Sequence, residues 1–90
     1  MLFMVIEHFD QARVKEVYRR FRERGRQAPD GLRYVDSWID ASFSRCFQLM
    51  ECDDVILLQE WVAQWGDLVR FEITPVARSK DVADMIGKHL

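Results

Sequence analysis

The residues able to do chemistry lie mainly in two apolar segments. Tyr34, Asp36 and Trp38 stand at alternate positions of LRYVDSWID, and Cys46, Gln48 and Met50 at alternate positions of SRCFQLMEC. Alternation is the period of a β-strand, so each trio shares a face. Brought together, and joined by His8, they would line a cleft for a planar organic ligand, with rings to stack on it and Asp36 or His8 to accept its proton. A plainer role answers the same composition. Tyrosine and tryptophan are enriched at protein interfaces, where rings fill space and polar tips satisfy one another, and that role is preferred for the set as a whole.

Taken singly, each candidate has conditions to meet. A histidine base needs a partner to fix its tautomer, and Asp36 serves His8 only if both lie on one face. His8 shares its face with Leu2, Met4 and Ile6, whereas Glu7 goes with Phe3 and Val5. A nucleophilic Cys46 needs a nearby base or cation, but alternation sends Arg45 to the opposite face, so a small buried filler is the simpler reading. No HxH, CxxC or HExxH spacing occurs, and His8, Cys46, Cys52 and His89 make no recognisable ligand set. No metal and no cofactor is expected.

A different chemistry is suggested between Arg13 and Arg26, where seven basic residues meet two acidic ones, a local balance of +5 in a chain of total charge −2. Lys15, Arg19, Arg22 and Arg26 fall on one side of a helix and would attract an anion such as phosphate or nucleic acid. The acidic total, and the lack of paired base-stacking aromatics on SRCFQLMEC, argue against nucleic acid. A solvated face stitched by Glu16 to Arg20 and by Glu23 to Arg19 or Arg26 is the preferred reading.

These side chains need a scaffold, and 90 residues supply one domain. A chain of this size buries somewhat over ~60% of its unfolded surface, a thin margin that dimerisation would widen. The apolar start, MLFMVI, is broken by Glu7, His8 and Asp10 well before a signal-peptide core or a membrane span could form. If Cys46 and Cys52 share a strand they lie about 20 Å apart, far beyond the ~7 Å a disulfide allows, and two unpaired thiols suit a reducing cytoplasm.

Leu2 to Phe9 reads as a strand buried on both faces. Asp10 caps a helix that carries Val14, Val17, Tyr18 and Phe21 on one side and stops at Gly25. QAPDG is a turn, followed by the two strands of a hairpin. Pairing Arg33 with Glu51 sets Tyr34 by Met50, Val35 by Leu49, Asp36 by Gln48, Ser37 by Phe47 and Trp38 by Cys46. Val35, Ile39, Phe47 and Leu49 then form one face, and Tyr34, Asp36, Trp38, Cys46, Gln48 and Met50 the other. Asp53 or Asp54 caps a second helix with Leu58, Trp61, Val62 and Trp65, which Gly66 ends. LVRFEITPV is a strand whose Pro75 favours a sheet edge. Ser79 caps a short amphipathic tail helix.

The order βαββαβ, plus a tail, gives an α+β ferredoxin-like sandwich. Its four-stranded antiparallel sheet has the first and third strands central and both main helices on one side. The other side, expected to bear Tyr34, Trp38 and Met50, has no main helix over it, and an exposed apolar face of that kind marks a partner or a ligand.

The segments FMVIEHF, YRRFRERGR, PDGLRYVDSW, RCFQLMECDD and FEITPV resemble, in order and spacing, those of the bacterial family called domain of unknown function 3303, in the dimeric α/β-barrel superfamily. The resemblance implies a homodimer that packs sheet against sheet around an interior cleft, and it implies no activity. Within such a frame the expected function is small-ligand binding in the cleft. The alternatives are an enzyme similar to cofactor-independent monooxygenases, with Trp38, Asp36 and His8 handling an aromatic substrate, or an interaction dimer without a ligand.

Overall fold

The computed structural model describes residues 1–90. Strand β1 (Leu2–Phe9) leads through a 3-10 turn at Gln11–Arg13 into helix α1 (Val14–Arg24). Then come β2 (Arg33–Ile39), β3 (Arg45–Glu51), α2 (Val55–Trp65), β4 (Val69–Val76) and α3 (Ser79–Gly87). The strands form one antiparallel sheet in the order β2-β3-β1-β4. This is the ferredoxin-like arrangement, with β1 and β3 central and Pro75 on edge strand β4.

Local chemistry accounts for the boundaries. The Asp10 carboxylate accepts from the Ala12 N–H at 3.0 Å, and Asp54 does the same for Ile56 at 3.0 Å, each satisfying a donor that a helix start leaves free. Gly25, at φ 70°, donates its N–H to the Phe21 carbonyl at 2.7 Å and turns the chain out of α1. Ser79 is the first residue of α3 rather than its cap; the boundary position is Arg78, whose guanidinium only donates and caps nothing.

The core lies between the helices and one face of the sheet. Phe3 and Val5 of β1, Met50 of β3, Val17 of α1, and Leu58, Trp61 and Trp65 of α2 are all buried in one cluster, and Trp61 meets Phe71 edge to face at 5.6 Å. Both indole N–H groups of α2 donate to one acceptor, the Arg26 carbonyl, at 2.9 Å each. A carbonyl has two lone pairs, so this spends both and ties the α1–β2 connection to α2.

The hairpin register departs from expectation. Arg33 pairs with Glu51 and Tyr34 with Met50, as the sequence suggests, but a bulge between Tyr34 and Asp36 then sets Asp36 opposite Leu49, Ser37 opposite Gln48, Trp38 opposite Phe47 and Ile39 opposite Cys46. One extra residue in a strand flips every later side chain to the other face. Cys46, Gln48 and Met50 also pair with Glu7, Val5 and Phe3 of β1, which point to the helices. The trio is therefore buried under α1 and α2, and does not lie on the open face. Tyr34 stands with it, while Asp36 and Trp38 lie on the open side.

That open side carries Leu2, Met4 and Ile6 from β1, Phe47 and Leu49 from β3, and Trp38 from β2, the last 51% exposed. Arg33, Glu51, Arg45, His8 and Glu72 border it. No residue of α3 is buried, and no helix is long and apolar enough to cross a membrane.

Candidate functional site

Beneath α1 and α2 a cavity of about 230 Å³ opens against the sheet. Its polar wall comes from alternate positions of two paired strands, Glu7 on β1 and Cys46 and Gln48 on β3. Its apolar wall includes Phe9, Phe21, Trp61 and Trp65, and Arg26 stands at its side. Four of the residues singled out in the sequence are thus near one another here: Cys46 and Gln48 in the wall, Arg26 at its side, and Tyr34 through its contact with Arg26. Glu7 completes the group.

Gln48 is 3% exposed, and its Nε2 has no hydrogen-bond partner. A buried amide without an acceptor costs roughly 1–3 kcal/mol, so its presence in a cavity wall requires an explanation. Its Oε1 accepts from Arg26 Nε at 3.4 Å, a long contact, and the Arg26 guanidinium lies 3.7 Å from the centre of the Tyr34 ring and 5.2 Å from that of Phe21. Ser37, on the same side, shares a 2.7 Å hydroxyl contact with Tyr34.

Burial pushes the Glu7 carboxyl up to about 7, against the opposing pull of the Cys46 thiol and the Arg26 charge. The same burial, reinforced by Glu7, pushes the Cys46 thiol up to about 12. A thiol held that firmly in its neutral form is a poor nucleophile, which matches the filler role rather than the catalytic one. Tyr18 is raised as well, by burial first and then by Cys46 and Glu7. Glu7 is the functional group that sequence reasoning passed over. The signal was its parity with Phe3 and Val5, which makes it the one acidic residue on the buried face of a central strand.

His8 and Asp36 both face the open side, yet they do not meet. Asp36 pairs with Leu49, which in turn pairs with Met4, so four residues and two strand spacings separate it from His8, roughly 16 Å. His8 Nε2 instead contacts Glu72 Oε1 at 2.6 Å, and Asp36 accepts from the neighbouring Ser37 N–H at 2.8 Å. Met50 is fully buried in the core and lines no opening.

The basic stripe is shorter than expected. Lys15, Arg19 and Arg22 are exposed and line a shallow groove with Tyr18 and Phe43, but Arg26 lies beyond the helix end and turns inward. Nor do the expected pairs form on α1. Arg20 reaches Asp67 with two contacts of 2.8 and 2.6 Å and covers Trp65, while Glu16 pairs with Arg13 at 3.4 Å. Arg20 bonds the partner that offers two-pronged geometry in preference to the helix neighbour. No group of three or more His, Cys, Asp or Glu side chains is placed to hold a metal ion.

Over residues 1–90, the whole chain, the sequence matches the family described as Domain of unknown function (DUF3303). No curated protein and no solved structure matches it.

Proposed function

Because the chain belongs to the DUF3303 family, a membership that carries no activity with it, we propose a function from the site alone: a small homodimeric module that binds a small organic ligand. The ligand's seat is the cavity under α1 and α2, not the cleft between two sheets. The observation that carries this reading is the Gln48 amide, buried and without an acceptor in a cavity wall. A ligand oxygen that meets the amide as the side chain turns toward the cavity removes the cost of the orphan donor, and the aromatic wall supplies the burial.

The open sheet face supports the dimer. Its apolar centre of Leu2, Met4, Ile6, Phe47, Leu49 and Trp38 has a charged border, the anatomy of a protein interface. Two buried free cysteines fit a reducing compartment such as the cytoplasm. The enzyme reading loses support, since its two proton acceptors, His8 and Asp36, lie far apart and outside the cavity.

Nitrogen–proton correlation NMR tests the binding. Benzamide, a ring with one strong acceptor, should shift the Gln48 side-chain amide and the Trp61 and Trp65 indole signals together. Gln48→Leu, which fills the site with an apolar group of similar length, should weaken that binding about tenfold. Unmoved signals at millimolar probe would refute the cavity as a ligand seat.

A further inference from the structure

The groups around the cavity also indicate what its occupant is, an inference that rests on the preceding reading. Arg26 is aimed inward by its own backbone. Gly25 and Gln27, on either side of it, have φ of 70° and 59°, and a left-handed glutamine persists only where its surroundings hold it. The hold is the Arg26 carbonyl, fixed by the Trp61 and Trp65 indoles. The guanidinium so placed joins none of the molecule's salt bridges. Its only hydrogen bond runs from Nε to Gln48 Oε1, which leaves its terminal amino groups without a protein acceptor. Beside it stands the Gln48 Nε2, also without one.

We infer that the cavity takes a one-ring aromatic carboxylate, its ring among Phe9, Phe21 and Trp61 and its carboxylate toward the Arg26 guanidinium and the Gln48 amide. Two donors without acceptors call for two acceptor oxygens, and a carboxylate offers both in the planar fork that a guanidinium matches. Size agrees. A cavity of ~150 Å³ holds benzene, and about 230 Å³ leaves room for one further small group.

The titratable groups facing this space are Glu7, Tyr18, Arg26 and Cys46. Tyr18 and Cys46 are both shifted toward their neutral forms, so Glu7 is the group that changes charge near neutrality. Protonated, Glu7 can donate a hydrogen bond to a ligand carboxylate; ionised, it repels one. Binding of the acid anion therefore takes up a proton at Glu7 and weakens as pH rises through about 7.

Benzoate and benzamide, matched in shape and different in charge, separate this inference from the reading beneath it. Their dissociation constants are read from the Gln48 and Trp61 signals in the wild type, in Arg26→Met and in Glu7→Gln. Benzoate should bind the wild type about tenfold tighter than benzamide at about pH 6, and lose most of that advantage by about pH 8. Arg26→Met should leave benzoate no tighter than benzamide, and the dispersed Trp61 and Trp65 indole signals, held by the main-chain carbonyl at that position, show that the variant is folded. Glu7→Gln should flatten the pH dependence. Equal affinity for the two probes in the wild type, a comparison that needs no variant, overturns the carboxylate and leaves the ligand seat standing. Binding of neither overturns both, and a preference that does not vary with pH removes Glu7 from the account.

Discussion

Glu7 and Cys46 face each other across the β1–β3 register, both buried on the helix side of the sheet. Burial makes both harder to ionise, and the Arg26 charge nearby offsets that only in part. The pair therefore sits as neutral acid and neutral thiol, and the carboxyl is the one that gives way near neutral pH.

Stability should record that change. The native state holds the Glu7 proton up to about 7, whereas an unfolded glutamate releases it near 4.5. Between those values the folded chain binds more protons than the unfolded one, so stability falls as pH rises, by roughly 3 kcal/mol in all. Glu7→Gln should remove that slope and gain most over the wild type above pH ~7. Urea unfolding at acidic and at mildly alkaline pH measures it, and parallel pH profiles for the two proteins would contradict it.

Trp61 and Trp65 share one acceptor, so their contributions should not add. In Trp61→Phe or Trp65→Phe the Arg26 carbonyl keeps one donor; in the double variant it has none. Each single change should cost about 1–2 kcal/mol, and the pair at least ~0.5 kcal/mol more than the two together. A denaturation double-mutant cycle reads the coupling directly, and strict additivity would show that the carbonyl finds another donor.

On the open face, Phe47 lies between Trp38 of edge strand β2 and Ile6 of β1 in the apolar patch. Phe47→Glu should raise the dissociation constant of the proposed dimer by at least about 100-fold, since an interface tolerates no unpaired charge at its centre. Sedimentation velocity over a concentration series checks this, and a wild type that sediments as a monomer at the highest concentration would remove the dimer.

Gly25→Ala should cost about 1–3 kcal/mol, because φ 70° with ψ −161° is a region open almost only to glycine. Gly87→Ala, with nothing near the added methyl and no positive φ, should be close to neutral. Thermal unfolding of the two variants side by side makes the comparison, and equal losses would show that α1 can end another way.

The scaffold was legible because caps and periods announce it: Asp10, Asp54 and Gly25 act where they stand in the sequence, and Pro75 sits on an edge as its missing N–H requires. The faces of the hairpin were not. The bulge falls at Val35, an ordinary strand residue that marks no irregularity. On β3 Phe47 and Leu49 lie outside, while Cys46 and Gln48 lie within beside Met50. Volume and hydropathy point the wrong way when the outer face is itself apolar. The spacing of Arg26 continues the α1 stripe past Gly25 and so assigns it to the helix face. Its turn inward depends on Gln27 adopting a left-handed backbone, which composition does not reveal.

The bulge at Val35 has a bearing on how copies of this chain can meet. An edge strand whose peptide groups fall out of step cannot be zipped onto by a neighbour, and the opposite edge carries Pro75, a gap in the row of donors. With both rims spoiled, ribbon-like growth into fibrils is frustrated at each end. Self-association is then steered toward a closed, countable assembly rather than an open-ended one.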